Sequence, residues 1–122
     1  MSKKTRPEPV RMSTPLSGYR LMWLLVMFDL PVATKTERKS ATDFRHQLLD
    51  LGFERCQFSV YLKYIEGYAQ AGALSKRVAK VIPEGGKVYL LLFTDKQYES
   101  IVRYENRKKC KPLRNPGQFE LF

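Results

Sequence analysis

The chain has 122 residues, of which 43% are hydrophobic and 28% charged, a composition typical of one globular domain rather than a disordered or fibrous chain. Its 22 Lys and Arg against 12 Asp and Glu give a net charge of +10, which favours nucleic acid or an anionic membrane surface as a partner. Two distant cysteines and one histidine argue against a zinc cage or a disulfide framework.

The longest apolar run, residues 21–28, is far shorter than the roughly 20 residues that cross a bilayer. No secretory signal is visible, and we expect a cytoplasmic protein with no membrane partner. The surplus positive charge lies mainly in the flanks, because residues 1–20 and 101–122 each carry a net +4. We predict a flexible basic arm over 1–19, a folded domain over 20–106, and a basic tail with an apolar end over 107–122.

The first predicted elements are a strand and a helix. The continuous apolar run 21–28 ends at Asp29-Leu30-Pro31 and predicts a central strand that is buried on both faces. Thr34 and Glu37 form a capping-box pattern, and Gly52 supplies the C-terminal stop of the helix that follows. Its apolar stripe consists of Ala41, Phe44, Leu48 and Leu51.

Residues 53–65 alternate in polarity over a length greater than that of most strands, which predicts a bend or turn near residues 57–59. The remaining predicted elements are a helix from about Gly67 to Pro83, a strand over 88–93, a turn over 95–99 and a weaker strand over 101–104.

This order predicts an α+β domain of the ferredoxin-like βαββαβ class with an extra C-terminal strand. Two helices cover only one face of such a sheet, and the opposite face keeps apolar side chains. A second copy of the chain is the simplest cover, so we predict a homodimer.

Three segments together resemble a known family. They are Met27-Phe28-Asp29-Leu30-Pro31, then Gly52-Phe53-Glu54-Arg55-Cys56-Gln57-Phe58-Ser59-Val60-Tyr61, and then Val88 to Thr94 followed by Asp95-Lys96-Gln97-Tyr98. Over residues 20–122 the chain is similar to the small CRISPR-associated endonuclease family, the smaller of the two universal spacer-acquisition proteins. The basic run and apolar end of the tail are similar to the versions found in type II systems.

The resemblance implies a homodimeric scaffold that holds prespacer duplex DNA for the CRISPR integrase, the larger universal adaptation protein, during spacer acquisition. It also implies endonuclease activity that depends on Mg²⁺ or Mn²⁺, with Asp29 as metal ligand and catalytic residue; whether this chain is an enzyme stays open. Without the resemblance, the simpler explanation of Asp29 is a turn residue before Pro31. One carboxylate is a poor Mg²⁺ site, and a two-fold axis that pairs two copies of Asp29 would improve it.

Non-specific duplex binding is predicted from the charge, because no base-reading recognition helix is visible. The candidates in the folded domain are Arg38, Lys39, Arg45 and Arg55, and those in the tail are Arg107, Lys108, Lys109 and Lys111. Any one of them is also explained as an ordinary solubilising charge. Tyr61 is a candidate for stacking on bases, although its alternating segment equally suits a half-buried strand.

Two other functions stay open at this point. The first is an active metal-dependent endoribonuclease or endodeoxyribonuclease. The second, a distant alternative, is an RNA-recognition module, which shares the order of elements. Such modules carry an aromatic signature interleaved with glycines, and residues 56–61 lack those glycines.

Overall fold

The computed structural model describes residues 21–113; the predicted N-terminal arm and the end of the predicted tail lie outside this range. The described chain is a mixed α+β domain with one four-stranded antiparallel sheet and a separate two-stranded hairpin. In chain order its elements are β1 (Met22–Asp29), α1 (Lys35–Asp50), β2 (Glu54–Gln57), β3 (Val60–Ile65), α2 (Tyr68–Ala79), β4 (Lys87–Thr94), α3 (Asp95–Glu99), β5 (Tyr104–Glu105) and β6 (Lys108–Lys109).

The strands of the main sheet follow the spatial order β2-β3-β1-β4. β1 lies in the interior of the sheet and pairs antiparallel with both β3 and β4, so that Leu25 has Leu62 on one side and Leu91 on the other. This position confirms the prediction that the apolar run before Asp29 is a central strand. Among the described residues, no helix has the length and apolar character needed to span a membrane.

Both long helices pack on the same sheet face. The capping box of α1 is confirmed, because the Thr34 hydroxyl accepts from the Glu37 amide and the Glu37 carboxylate accepts from the Thr34 amide. The core beneath the helices joins side chains of β1 to those of α1 and α2. Its members from these elements are Met22, Leu24, Val26, Phe28, Ala41, Phe44, Leu48, Ala71, Leu74 and Val78.

The predicted bend in residues 53–65 is confirmed. β2 ends at Gln57 and β3 begins at Val60, and the register shifts between Arg55 and Gln57. Two residues, Phe58 and Ser59, connect the strands, and the shift in register lies just before this connection.

Two expectations for the C-terminal part are wrong. Residues 95–99 form a short helix rather than a turn, because Thr94 and Gln97 form a second capping box. The predicted strand over 101–104 is also wrong: residues 101–103 form no strand, and β5 begins only at Tyr104. β5 pairs with β6 in a separate hairpin instead of extending the main sheet.

Within residues 21–113, the sheet face opposite the helices is covered at one end only. There Trp23, Leu62 and Tyr98 form a second buried cluster, which we call the closed end. The Tyr98 ring stacks on Trp23 with centroids 3.9 Å apart, and the Trp23 indole donates a hydrogen bond to Asp95 Oδ1 at 2.9 Å. At the other end of the same face Met27, Tyr89 and Leu91 are 41%, 57% and 52% exposed. We call these three residues the open patch.

Candidate metal residue and nucleic-acid interface

Asp29 is the last residue of β1 and is exposed on the sheet face away from the long helices. The alternation of β1 places it on the same side as Trp23 and Met27, and its partner across the strand pair is Lys87 of β4. A cleft of about 310 Å³ opens beside it, lined by Met27, Phe28, Asp29, Ser59, Val60, Lys87 and Tyr89. Asp29 therefore borders the open patch.

The backbone at Asp29 is held by the turn that precedes β4. Gly86 has φ +77°, and a Cβ added to it would lie 2.5 Å from the Asp29 carbonyl oxygen and 2.9 Å from Leu30 Cα. Only glycine allows this approach without a backbone shift. Only the tertiary structure shows that this turn packs against the candidate metal residue.

The described residues of one chain do not by themselves make a complete metal site. Within residues 21–113, no group of three or more His, Cys, Asp or Glu side chains lies close enough to hold an ion. Asp29 is the one acidic side chain that lines its cleft, whereas Mg²⁺ takes six oxygen ligands. The fit of a divalent ion therefore depends on oxygens from outside the single chain.

Two of the candidate cations, Arg38 and Lys39, bind groups that are near them in the sequence. The Arg38 guanidinium donates to the carbonyl oxygens of Val32 and Ala33 at 3.1 and 3.2 Å. Lys39 pairs with Asp43 one turn along α1 at 3.1 Å, with both side chains largely exposed. Surface pairs of this kind contribute little to stability, typically about 0–1 kcal/mol, and both cations still face solvent.

Arg45 and Arg55 are brought together by an aromatic ring. Cζ of Arg45 lies 4.0 Å from the centroid of the Phe58 ring and 5.4 Å from that of Phe28. Cζ of Arg55 lies 5.5 Å from the Phe58 centroid. We call Arg45, Arg55 and Phe58 the Arg–Phe58 cluster. The exposed Phe58 was not among the site residues expected from the sequence, although an aromatic side chain in a two-residue connection was a visible signal.

The candidate cations of the predicted tail lie on the hairpin or directly after it. Asn106 and Arg107 have φ of 53° and 67° and form its connection, as in a type I′ turn. Lys108 and Lys109 constitute β6, and Lys111 follows as an exposed residue. The part of the predicted tail up to Lys109 is thus ordered by strand pairing, which presents its cations on a defined loop.

Tyr61 does not serve as a base-stacking residue. Its side chain is 1% exposed and lies in the core under the helices, where its ring is 5.8 Å from that of Phe28. Of the two interpretations of Tyr61, a position in a buried strand is the better one, and its side chain is almost fully buried.

Burial at the closed end alters the titration of two tyrosines. Burial raises the pKa of Tyr98 above its ordinary value; negative charge on Cys56, Asp95 and Glu54 raises it further, and Arg103 opposes them. Burial also raises the pKa of Tyr64, with contributions from Asp95 and Glu66. The two phenols therefore stay neutral to higher pH than exposed tyrosines do.

The fold and site define a small basic α+β domain with one exposed carboxylate at a strand end and arginine side chains around an exposed ring. The family model for CRISPR associated protein Cas2 matches residues 22–101, and the chain belongs to this family. This confirms the family expected from the sequence.

Two curated relatives are similar over most of their length, and both are named CRISPR-associated endoribonuclease Cas2. The protein of Paracidovorax avenae is 52% identical over 107 residues, which cover 88% of this chain and 99% of the relative. That of Flavobacterium psychrophilum is 39% identical over 109 residues, 89% of this chain and 95% of the relative. A solved structure described as "Crystal structure of cas2" superposes with a TM-score of 0.49 and 20% identity, over 76% of this chain and 98% of that one.

Proposed function

We propose that this chain binds prespacer duplex DNA as a dimeric scaffold for the CRISPR integrase during spacer acquisition. The observation that carries the proposal is the exposed positive charge at the Arg–Phe58 cluster and on the β5–β6 hairpin. Duplex DNA presents about one negative charge per 1.7 Å of its axis, and a dimer would double the net +10 of each chain. These cations come from a helix, a strand and a hairpin rather than from one helix shaped for the major groove, which favours contact with phosphates over reading of bases.

The domain that presents these cations is proposed to be ferredoxin-like. The chain order β1-α1-β2-β3-α2-β4, the spatial order β2-β3-β1-β4 and the antiparallel pairing of neighbours support this assignment.

The dimer is proposed to form across the open patch. Met27, Tyr89 and Leu91 are contiguous on β1 and β4, since Met27 lies opposite Tyr89 in the register and Leu91 is two residues further along the same face. Exposed apolar groups this close together are typical of an interface. Asp29 borders the same patch, so this mode of dimerisation brings the two copies of Asp29 toward the shared interface.

DNA binding is tested by titrating binding of a fluorescent duplex at several salt concentrations. With at least four phosphate contacts per chain, the slope of log K against log salt should be about −3.6 or steeper. Arg55→Gln should make the slope shallower by about 1. Arg77→Gln, the same change on α2 outside the candidate set, should leave it unchanged. A flat dependence on salt, or strong preference for one sequence, would contradict the proposal.

The alternative function is an active metal-dependent endonuclease of RNA or DNA. The exposed Asp29 carboxylate in its cleft favours it, and so does the name endoribonuclease of the relatives. Two Asp29 carboxylates from the two copies would hold a Mg²⁺ or Mn²⁺ ion together with water and substrate phosphate. Such an ion polarises a phosphoryl oxygen and lowers the pKa of bound water.

The variant Asp29→Asn separates the two functions. Asn keeps the size of the side chain but removes the charge that attracts a cation, so any cleavage that depends on Mg²⁺ or Mn²⁺ should be abolished. Under the scaffold proposal the dimer, duplex binding and spacer acquisition should persist. Asp50→Asn, at an exposed position at the end of α1, is the matched control and should cleave normally. Loss of acquisition by Asp29→Asn with intact binding would favour the nuclease as the primary function, and unchanged cleavage would make Asp29 a turn residue.

A further inference from the structure

Phe58 is exposed at a position where its apolar ring adds little to the stability of the fold. It lies in the two-residue connection between β2 and β3 and is 63% accessible, and it belongs to neither buried cluster. Small polar residues and glycine are the usual occupants of such connections. Its exposure is therefore better explained by a ligand that the ring contacts than by packing within the chain.

The ring is held in place from both neighbouring elements. Arg45 of α1 stacks its guanidinium on Phe58 at 4.0 Å and donates from Nε to the Phe58 carbonyl oxygen at 3.4 Å, while Arg55 of β2 approaches the ring at 5.5 Å. Arg45 also lies over the buried Phe28 ring. Because the ring is ordered before any ligand arrives, binding to it costs less conformational entropy.

The chemistry around this ring matches a nucleotide. An aromatic face offers stacking to a base, and two guanidinium groups offer charge to the adjacent phosphates and stack on bases themselves. Within a duplex the base faces are stacked on one another, so away from the duplex ends only an unpaired base offers a face to a protein side chain. The next residue, Ser59, lines the cleft of Asp29, so the Phe58 ring lies one residue from the rim of that cleft.

We propose that the Arg–Phe58 cluster binds an unpaired nucleotide in the single-stranded overhang of a DNA duplex, with its base stacked on Phe58 and its phosphates held by Arg45 and Arg55. The inference rests on the proposed DNA-binding function and adds a contact that distinguishes overhanging from blunt ends.

The test compares a blunt duplex with the same duplex carrying an oligo(dT) overhang of about five nucleotides, of either polarity. The wild-type chain should bind the overhang duplex more tightly than the blunt one, and Phe58→Ala should lower this preference by about tenfold. Phe58→Trp should retain the preference, whereas Phe58→Leu, which is apolar but has no aromatic face, should lose it. Because Phe58 is exposed, thermal unfolding of all three variants should match the wild type.

A 2-aminopurine base in the overhang gives a direct signal of stacking. Its fluorescence should be quenched by the wild type and by Phe58→Trp, but not by Phe58→Ala. Equal binding of both duplexes by wild type and Phe58→Ala would overturn this inference and leave the proposed DNA binding intact. Absence of binding to either duplex would overturn both. A change in oligomeric state in Phe58→Ala without any change in DNA binding would assign the ring to an interface between copies and overturn the inference.

Discussion

The two ends of the sheet face opposite the helices have similar residues but differ in how far those residues are exposed. Both ends present aromatic and aliphatic side chains from β1 and β4, yet Trp23 is 6% exposed at the closed end and Tyr89 is 57% exposed at the open patch. The difference is α3, which returns over the sheet directly after β4 and lays Tyr98 on Trp23. Within residues 21–113, one end is thus covered by the chain itself, and the other end stays exposed.

A short local signal determines which end of this sheet face is covered. The Thr94–Gln97 capping box starts α3 at the end of β4, and the Asp95 amide donates to the Leu21 carbonyl oxygen at 2.8 Å. A five-residue helix has little stability of its own, and its packing on Trp23 supplies what the helix lacks. Because α3 covers the end that carries Trp23, the apolar side chains of β1 and β4 that stay exposed on this face are those of the open patch, which Asp29 borders.

The largest effect is expected from truncation at the closed end. Trp23→Ala removes the stacked ring and the hydrogen bond to Asp95, and should lower the free energy of unfolding by about 3–5 kcal/mol in urea denaturation. Leu91→Ala, on the same face of the sheet but 52% exposed, should change the stability of the monomer by less than about 1 kcal/mol. Similar losses of unfolding free energy in both variants would show that the two ends of the face contribute equally to stability.

A smaller effect is expected from charge at the open patch. Leu91→Glu would bury a carboxylate in the proposed dimer interface and should weaken self-association at least a hundredfold, about 2.7 kcal/mol, as measured by light scattering over a concentration series. Leu49→Glu is the matched control, because Leu49 is 48% exposed on α1, away from the patch. A wild-type chain that is monomeric at all concentrations, or equal behaviour of both variants, would contradict the proposed interface.

The smallest effect concerns the dependence of stability on pH. Since the pKa of Tyr98 is raised in the folded state, the unfolded chain loses this proton first as pH rises through about 10. The unfolded state then binds fewer protons, so the stability contributed by neutral Tyr98 is fully present below pH 10 and falls as pH rises through its folded pKa.

The variant Tyr98→Phe removes this titration while keeping the ring. Its free energy of unfolding, measured in urea between pH 8 and pH 11, should decline less steeply than that of the wild type. Tyr68→Phe, at an exposed position on α2, should follow the wild-type curve. If the free energies of unfolding of Tyr98→Phe and wild type change with pH in parallel, the phenol of Tyr98 ionises equally easily in the folded and the unfolded chain.

Several features of the fold and site were predictable because their signals are local. The capping box of α1, the central position of β1 and the bend between β2 and β3 follow from spacing and polarity over short segments. The family was likewise recognisable from ordered motifs, and residues 22–101 match its model. Asp29 and the basic side chains were identifiable by residue type and position, although their roles as ligands of metal or DNA stay predictions.

The rest was decided by contacts between distant residues, which no local pattern specifies. Residues 101–109 carry strand-like and basic segments, but pairing of β5 with β6 rather than with the main sheet depends on a positive-φ connection at Asn106 and Arg107. Tyr61 and Phe58 lie three residues apart in one alternating segment. Phe58 lies in the two-residue turn and Tyr61 in the strand that follows, so that the Tyr61 ring is buried in the core and the Phe58 ring is exposed beside two arginines. Sequence determined which side chains were available, and tertiary packing decided which of them stay exposed, since exposure depends on what the rest of the chain can cover.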